Sequence, residues 1–149
     1  MSKLTVPGKR LLFVHSIIAI AALVGVVEMA CSHEYYTADF KIIHPWAIPT
    51  LAGATSAEVY VRFEEITGTD RLIGAKSEVA DKVEMLSPEG AQIEAVELTI
   101  GATVALEPKG AHFLLHGLKG PLLYDRSYPI TFIFEKTGDV DSSLSMGGH

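Results

Sequence analysis

An all-β sandwich or barrel is the fold class this sequence predicts, on three observations. Short runs with period-two alternation of apolar and polar residues recur from residue 35 onward, spaced about 8–12 residues apart. Turn-forming clusters rich in Gly, Pro and Asp separate them. No stretch carries the helical repeat of apolar residues that a long amphipathic helix needs.

Residues 1–32 stand apart and read as a removable signal peptide. Lys3, Lys9 and Arg10 precede the apolar run Leu11–Val27, and the small residues Ala30 and Ser32 follow. Small side chains at those two positions place the cut before His33. Two alternatives stay open. The run approaches the length of a membrane anchor. Cys31, following Ala30, could also accept a lipid, although Glu28 stands where such a signal takes an aliphatic residue.

Cleavage there leaves 117 residues with nine basic and seventeen acidic side chains, five His, two Met and no Cys. That inventory excludes several classes. Scattered cations in an acidic chain cannot present the dense positive surface a phosphate backbone requires, so nucleic acid is not a partner. Without Cys there is no disulfide framework, thiolate metal site or thiol nucleophile. The length suits one small exported domain, expected over residues 33–136.

The strands follow in order. Residues 35–43 alternate with Tyr36, Ala38, Phe40 and Ile42 on one face, and His44-Pro45-Trp46 ends or bends the run. Ala57–Glu64 alternates more clearly, setting Val59, Val61 and Phe63 against Tyr60 and Arg62. Further strands are expected at Asp70–Ser77, Lys82–Leu86, Ile93–Leu98, Thr103–Leu106, His112–Leu118 and Tyr128–Phe134. Turn signals at 67–70, 87–90, 108–110 and 119–121 divide them. From Lys136 the chain is small and polar, so residues 137–149 are expected to be a flexible tail carrying Met146 and His149.

His44-Pro45-Trp46-Ala47-Ile48-Pro49-Thr50 resembles the HPWARPT signature of periplasmic copper chaperone (PCuAC) domains, with Ile48 in place of Arg. Residues 70–75 and 80–84 are similar to two of that family's strands, and Leu106–Leu122 to its L-x-PGG-x-H-x-M-x-x-GLK-x-PL segment. The likeness covers about residues 35–136. It implies a cupredoxin-like β-barrel or sandwich of seven to nine strands that handles copper in the periplasm.

The departures alter the expected chemistry. The family's Cu(I) ligands, carried over by position, fall on Leu86, on Ile93 or Glu94, and on His112 and Leu114, so only His112 survives. Met85 reads as core filler. A thioether Cu(I) site is therefore not available. An N-terminal His33 would instead offer its α-amine and imidazole Nδ1 to one ion, and a second imidazole would complete a histidine brace. PCuAC domains of methane-oxidising bacteria that lack the usual motif are the subgroup this sequence resembles. Nitrogen donors in a tetragonal plane favour Cu(II) over Cu(I).

The second imidazole is sought in the order His112, His44, His116, with His149 last. His112 and His116 share a strand face by period two. His33 and His44 would stand roughly 36 Å apart on an extended strand, so both could hold one ion only if the segment folds back or a second chain contributes. Glu34 and Asp39 are candidate oxygen ligands, more readily read as solvated charges. G-x-S-x-G, P-loop, dinucleotide and HExxH motifs are absent. The expected activity is binding, not turnover: storage of copper or its delivery to a periplasmic or membrane cuproenzyme. The alternatives are a copper-dependent oxidative enzyme using the brace and a metal-free interaction domain with a degenerate site.

Overall fold

Alternation resolves into ten strands in the computed structural model, which describes residues 34–147. The expected leader, Cys31, His33 and His149 lie outside the described residues. The strands are β1 (Glu34–Tyr36), β2 (Lys41–Ala47), β3 (Ser56–Glu64), β4 (Asp70–Lys76), β5 (Ala80–Leu86), β6 (Val96–Leu98), β7 (Val104–Leu106), β8 (His112–Leu118), β9 (Ser127–Phe134) and β10 (Gly138–Met146). They form one sheet in the order β5-β8-β3-β2-β10-β9-β4-β6, with β1 beside β2 and β7 beside β3. The sheet curls until β4 and β5 meet. Helix is absent among the described residues, and the all-β, cupredoxin-like class expected from the sequence is the one observed.

Phe63, Phe113, Phe132 and Phe134 fill the inside of the curl. Phe63 meets Phe134 edge-on at 5.7 Å between centroids, and Phe113 lies 5.7 Å from Phe132. Each fully buried ring is worth about 1.5–3 kcal/mol against leaving it in water. Their regular alternation with outward residues in β3, β8 and β9 is what made those strands readable.

Three departures matter for the site. The first expected strand is a hairpin. The Thr37 amide donates to the Phe40 carbonyl at 3.0 Å, and the Thr37 hydroxyl accepts from the Phe40 amide at 3.0 Å, so a local turn outcompetes the ladder. β1 then folds back on β2 with Glu34 opposite Ile43 and Tyr36 opposite Lys41.

Second, His44-Pro45 bends β2 without ending it. The register with β3 passes from Ile43–Arg62 to Trp46–Tyr60, which leaves one extra residue on β2. Proline has no N–H for the ladder, so a bulge is where it fits. His44 takes the strained φ of +46° there.

Third, the expected flexible tail at 137–149 is corrected over 138–146. β10 pairs with β9 from Gly138 to Ser145 and runs parallel to β2 at Ser145–Trp46 and Met146–Ala47. Val140, Leu144 and Met146 alternate with exposed or half-buried polar residues, and Met146 is buried. Asp70, only 3% exposed, pins the start of this strand. It accepts from the amides of Arg71, Lys136 and Thr137 at 2.7, 2.9 and 2.9 Å and from the Thr137 hydroxyl at 2.7 Å.

Candidate metal centre

His44, His112 and His116 all come from β2 and β8, and the sheet keeps them apart. On β8, His112 and His116 face the same way on either side of Leu114, so about 13 Å separates their Cα atoms at ~3.3 Å per residue. His116 is occupied elsewhere: its Nε2 lies 2.7 Å from Glu84 Oε2 across the β5–β8 pair. Hydrogen bonds from Lys82, and then from His116, hold the Glu84 carboxyl below its ordinary range. That trio is a surface ion network on β5 and β8.

His112 opens β8 after the turn at Lys109-Gly110. Its Nδ1 is 2.9 Å from the Gly110 carbonyl. A carbonyl only accepts, so Nδ1 carries the proton and Nε2 presents the lone pair, the arrangement that orients a ligating imidazole. Glu58 Oε1 stands 3.8 Å from that Nε2. The positions the PCuAC resemblance assigns to soft ligands gather here, because Leu86 pairs with His112 across β5–β8 and Leu114 is the next side chain on the same face. They form an aliphatic surround to one imidazole, with no thioether. Met85 and Met146, the two methionines among the described residues, are in the core.

An aromatic row links this histidine to β2. Trp46 and Tyr60 are cross-strand partners with centroids 4.5 Å apart, and Tyr60 lies 6.3 Å from the His112 ring. The Tyr60 hydroxyl donates to Glu58. Burial, then that bond and the carboxylate charge, pushes the Tyr60 phenol up to about 12. Neither Tyr60 nor Glu58 was singled out as a site residue from the sequence; their signal was the period-two alternation of residues 57–64.

His44 sits past Trp46, two strands from β8 and therefore about 10 Å from it at ~4.8 Å per strand. The bulge turns it toward β10, where its Nε2 lies 3.3 Å from Ser145 Oγ. Ser145 donates its one proton to the Pro45 carbonyl at 3.1 Å. That leaves the Ser145 hydroxyl oxygen to accept from the His44 ring. Ser145 was hidden in the expected tail.

The two candidate carboxylates diverge. Glu34 accepts from the Tyr36 hydroxyl at 2.6 Å near the His44 level. Asp39 lies at the other end of the β1–β2 hairpin, against Gly68, where an added Cβ would meet its carboxyl at 2.7 Å. Among the described residues no three His, Cys, Asp or Glu side chains converge on one point.

The family model described as lipoprotein LpqE-like matches residues 40–145. The copper-bound PCuAC domain from PmoF2 superposes with a TM-score of 0.69 at 29% identity, covering 78% of this chain and 99% of that one. The apo PmoF2 PCuAC domain gives 0.66 at 30% identity, covering 78% and 95%. The apo PCuAC domain from PmoF1, at 0.71 and 24% identity over 78% and 100%, shares the fold. No curated protein matches the chain. With a family model spanning most of its length and solved PCuAC domains covered almost entirely, this chain belongs to the LpqE-like family of PCuAC-type domains.

Proposed function

We propose that this domain is an exported copper carrier that holds one Cu(II) ion through a histidine brace made by His33 and His44, and stores it or hands it to a cuproenzyme of the periplasm or its membrane. The observation that carries this reading is the β1–β2 register. Glu34 pairs with Ile43, so extending the hairpin by one residue would set position 33 across from His44, about one strand spacing of ~4.8 Å away. The fold-back that an extended strand forbids is supplied by the Thr37–Phe40 turn.

The donor set supports Cu(II). With both described methionines in the core, the reachable donors are imidazole, amine and carboxylate, which suit a tetragonal Cu(II) plane. Bond sharing with Ser145 and Pro45 orients His44, as outer partners of ligating histidines do. His112 ranks second as the third nitrogen, because Tyr60 on β3 stands between it and β2. The proposed activity is binding without turnover, and the similarity to the copper-bound PCuAC domain from PmoF2 supports copper as the cargo.

The experiment is intact-mass analysis of the exported protein followed by equilibrium dialysis with Cu(II). A start at His33 with one tightly held ion is expected. One extra residue before His33 turns the amine into an amide and should abolish that affinity. Unchanged affinity in the extended protein refutes the brace. A lipidated start at Cys31 refutes it as well. The α-amine, with a pKa of about 8, must lose its proton to bind, so affinity should rise with pH toward that value.

A further inference from the structure

Seven large apolar side chains are exposed among the described residues, and four of them gather at one end of the barrel. Ile48 and Leu51 lie in the β2–β3 loop, 60% and 85% exposed, and Leu123 and Tyr124 in the β8–β9 loop, 44% and 69% exposed. The two loops are joined. Thr50 N donates to the Leu122 carbonyl at 3.0 Å, and Leu122 N donates to Thr50 Oγ1 at 2.9 Å. Tyr124 lies against Gly147, where an added Cβ would stand 3.4 Å from its ring, and Gly147 is bonded to Ala47, the residue before Ile48. The four side chains thus belong to one continuous surface.

Charge separates this end from the opposite one. Residues 48–55 carry no charge, and the other loops here, 77–79 and 119–126, hold Glu78 and Asp125 against Lys119 and Arg126. At the far end, the loops 37–40, 65–69, 99–103 and 135–137 hold three acidic residues against one basic one. An anionic surface therefore repels one end and leaves the other free to approach.

From this we infer that the Ile48–Leu51 and Leu123–Tyr124 loops form a face that docks on the surface of a lipid bilayer. Aliphatic loop tips with a tyrosine beside them and an electrically balanced margin of Lys119, Arg126, Glu78 and Asp125 match the chemistry of the bilayer interface, where apolar groups enter and aromatic rings sit at headgroup level. β1 runs antiparallel to β2, so the polypeptide enters the sheet from this same end, and Ser145, the partner of His44, lies two residues before Gly147. Docking would bring the proposed copper site close to the membrane, although the face itself needs no copper.

The test is co-sedimentation of the copper-free chain starting at His33 with vesicles of phosphatidylcholine, with and without phosphatidylglycerol. Residues 34–147 hold the whole described core, and relatives of this span stand as isolated domains, so that chain folds alone. It should pellet with both vesicles, and binding should survive high salt because apolar burial drives it. Leu51→Asp and Tyr124→Ser should each weaken partition at least about tenfold, with unchanged thermal unfolding. Ile73→Asp, on β4, should have no effect. Absence of pelleting, or equal loss in Ile73→Asp, overturns the inference. So does binding confined to native membranes and lost when their proteins are digested, which would assign the face to a protein partner.

Discussion

Replacing Asp70 with alanine tests how the last strand is held, and with it the surroundings of His44. The carboxylate gathers three backbone amides and one hydroxyl, from Arg71, Lys136 and Thr137, at 2.7–2.9 Å. Each bond to a charged acceptor is worth about 1.5–3 kcal/mol when its partner is left buried. Lys136 and Thr137 are near enough to solvent for water to recover part of that, so Asp70→Ala should cost about 3–5 kcal/mol, a large share of a small domain's stability. Asp70→Asn keeps one oxygen and should cost less.

The pH dependence has a definite sign. Burial by itself would raise this carboxyl, but the hydrogen bonds from Thr137, Lys136 and Arg71 outweigh it and hold it below its ordinary value. A depressed carboxyl contributes stability above its unfolded pKa of about 3.9 and loses it as pH falls through the folded value. Urea unfolding at about pH 7 and about pH 3 measures both effects, and the gap between Asp70→Asn and the parent should close in acid. A cost for Asp70→Ala below about 1 kcal/mol at neutral pH would refute the clamp.

Two further outcomes concern the site. His44→Ala should weaken Cu(II) binding at least about tenfold while His116→Ala leaves it unchanged, since His116 is committed to Glu84; equal losses measured by competition with a copper chelator would contradict the His44 assignment. Tyr60 should be the last tyrosine to ionise in an ultraviolet titration, near 12, because its raised phenol contributes stability that is complete below about pH 10 and lost as pH rises through about 12. Glu58→Gln should bring it down, and a Tyr60 that titrates with the exposed tyrosines would show that neither its burial nor the Glu58 bond holds the phenol up.

Much of the fold was legible because burial on one face writes itself into a strand as alternation. β3, β8 and β9 announced themselves through Val59-Val61-Phe63, Phe113-Leu115 and Ile130-Phe132-Phe134. β10 was missed for a physical reason. Its inward positions include Ser142, and serines intervene around Leu144, so its apolar signal is thin and its order comes from Asp70, β9 and β2. The first hairpin was read as one strand because the Thr37 turn depends on a hydroxyl capturing a nearby amide, which alternation does not record.

By itself the sequence determined the strand faces, the poverty of soft donors and the resemblance to copper-handling domains, since each depends only on residue type and spacing. Which histidines stand near one another was decided by tertiary structure alone. Period two put His112 and His116 on one face, but strand rise holds them about 13 Å apart. A bulge at Pro45 and a parallel contact with β10 turn His44 toward Ser145, and a hairpin folds Glu34 back to Ile43. Those neighbours lie up to a hundred positions apart in the chain and meet only because hydrogen-bond register, which no single segment carries, brings their strands together.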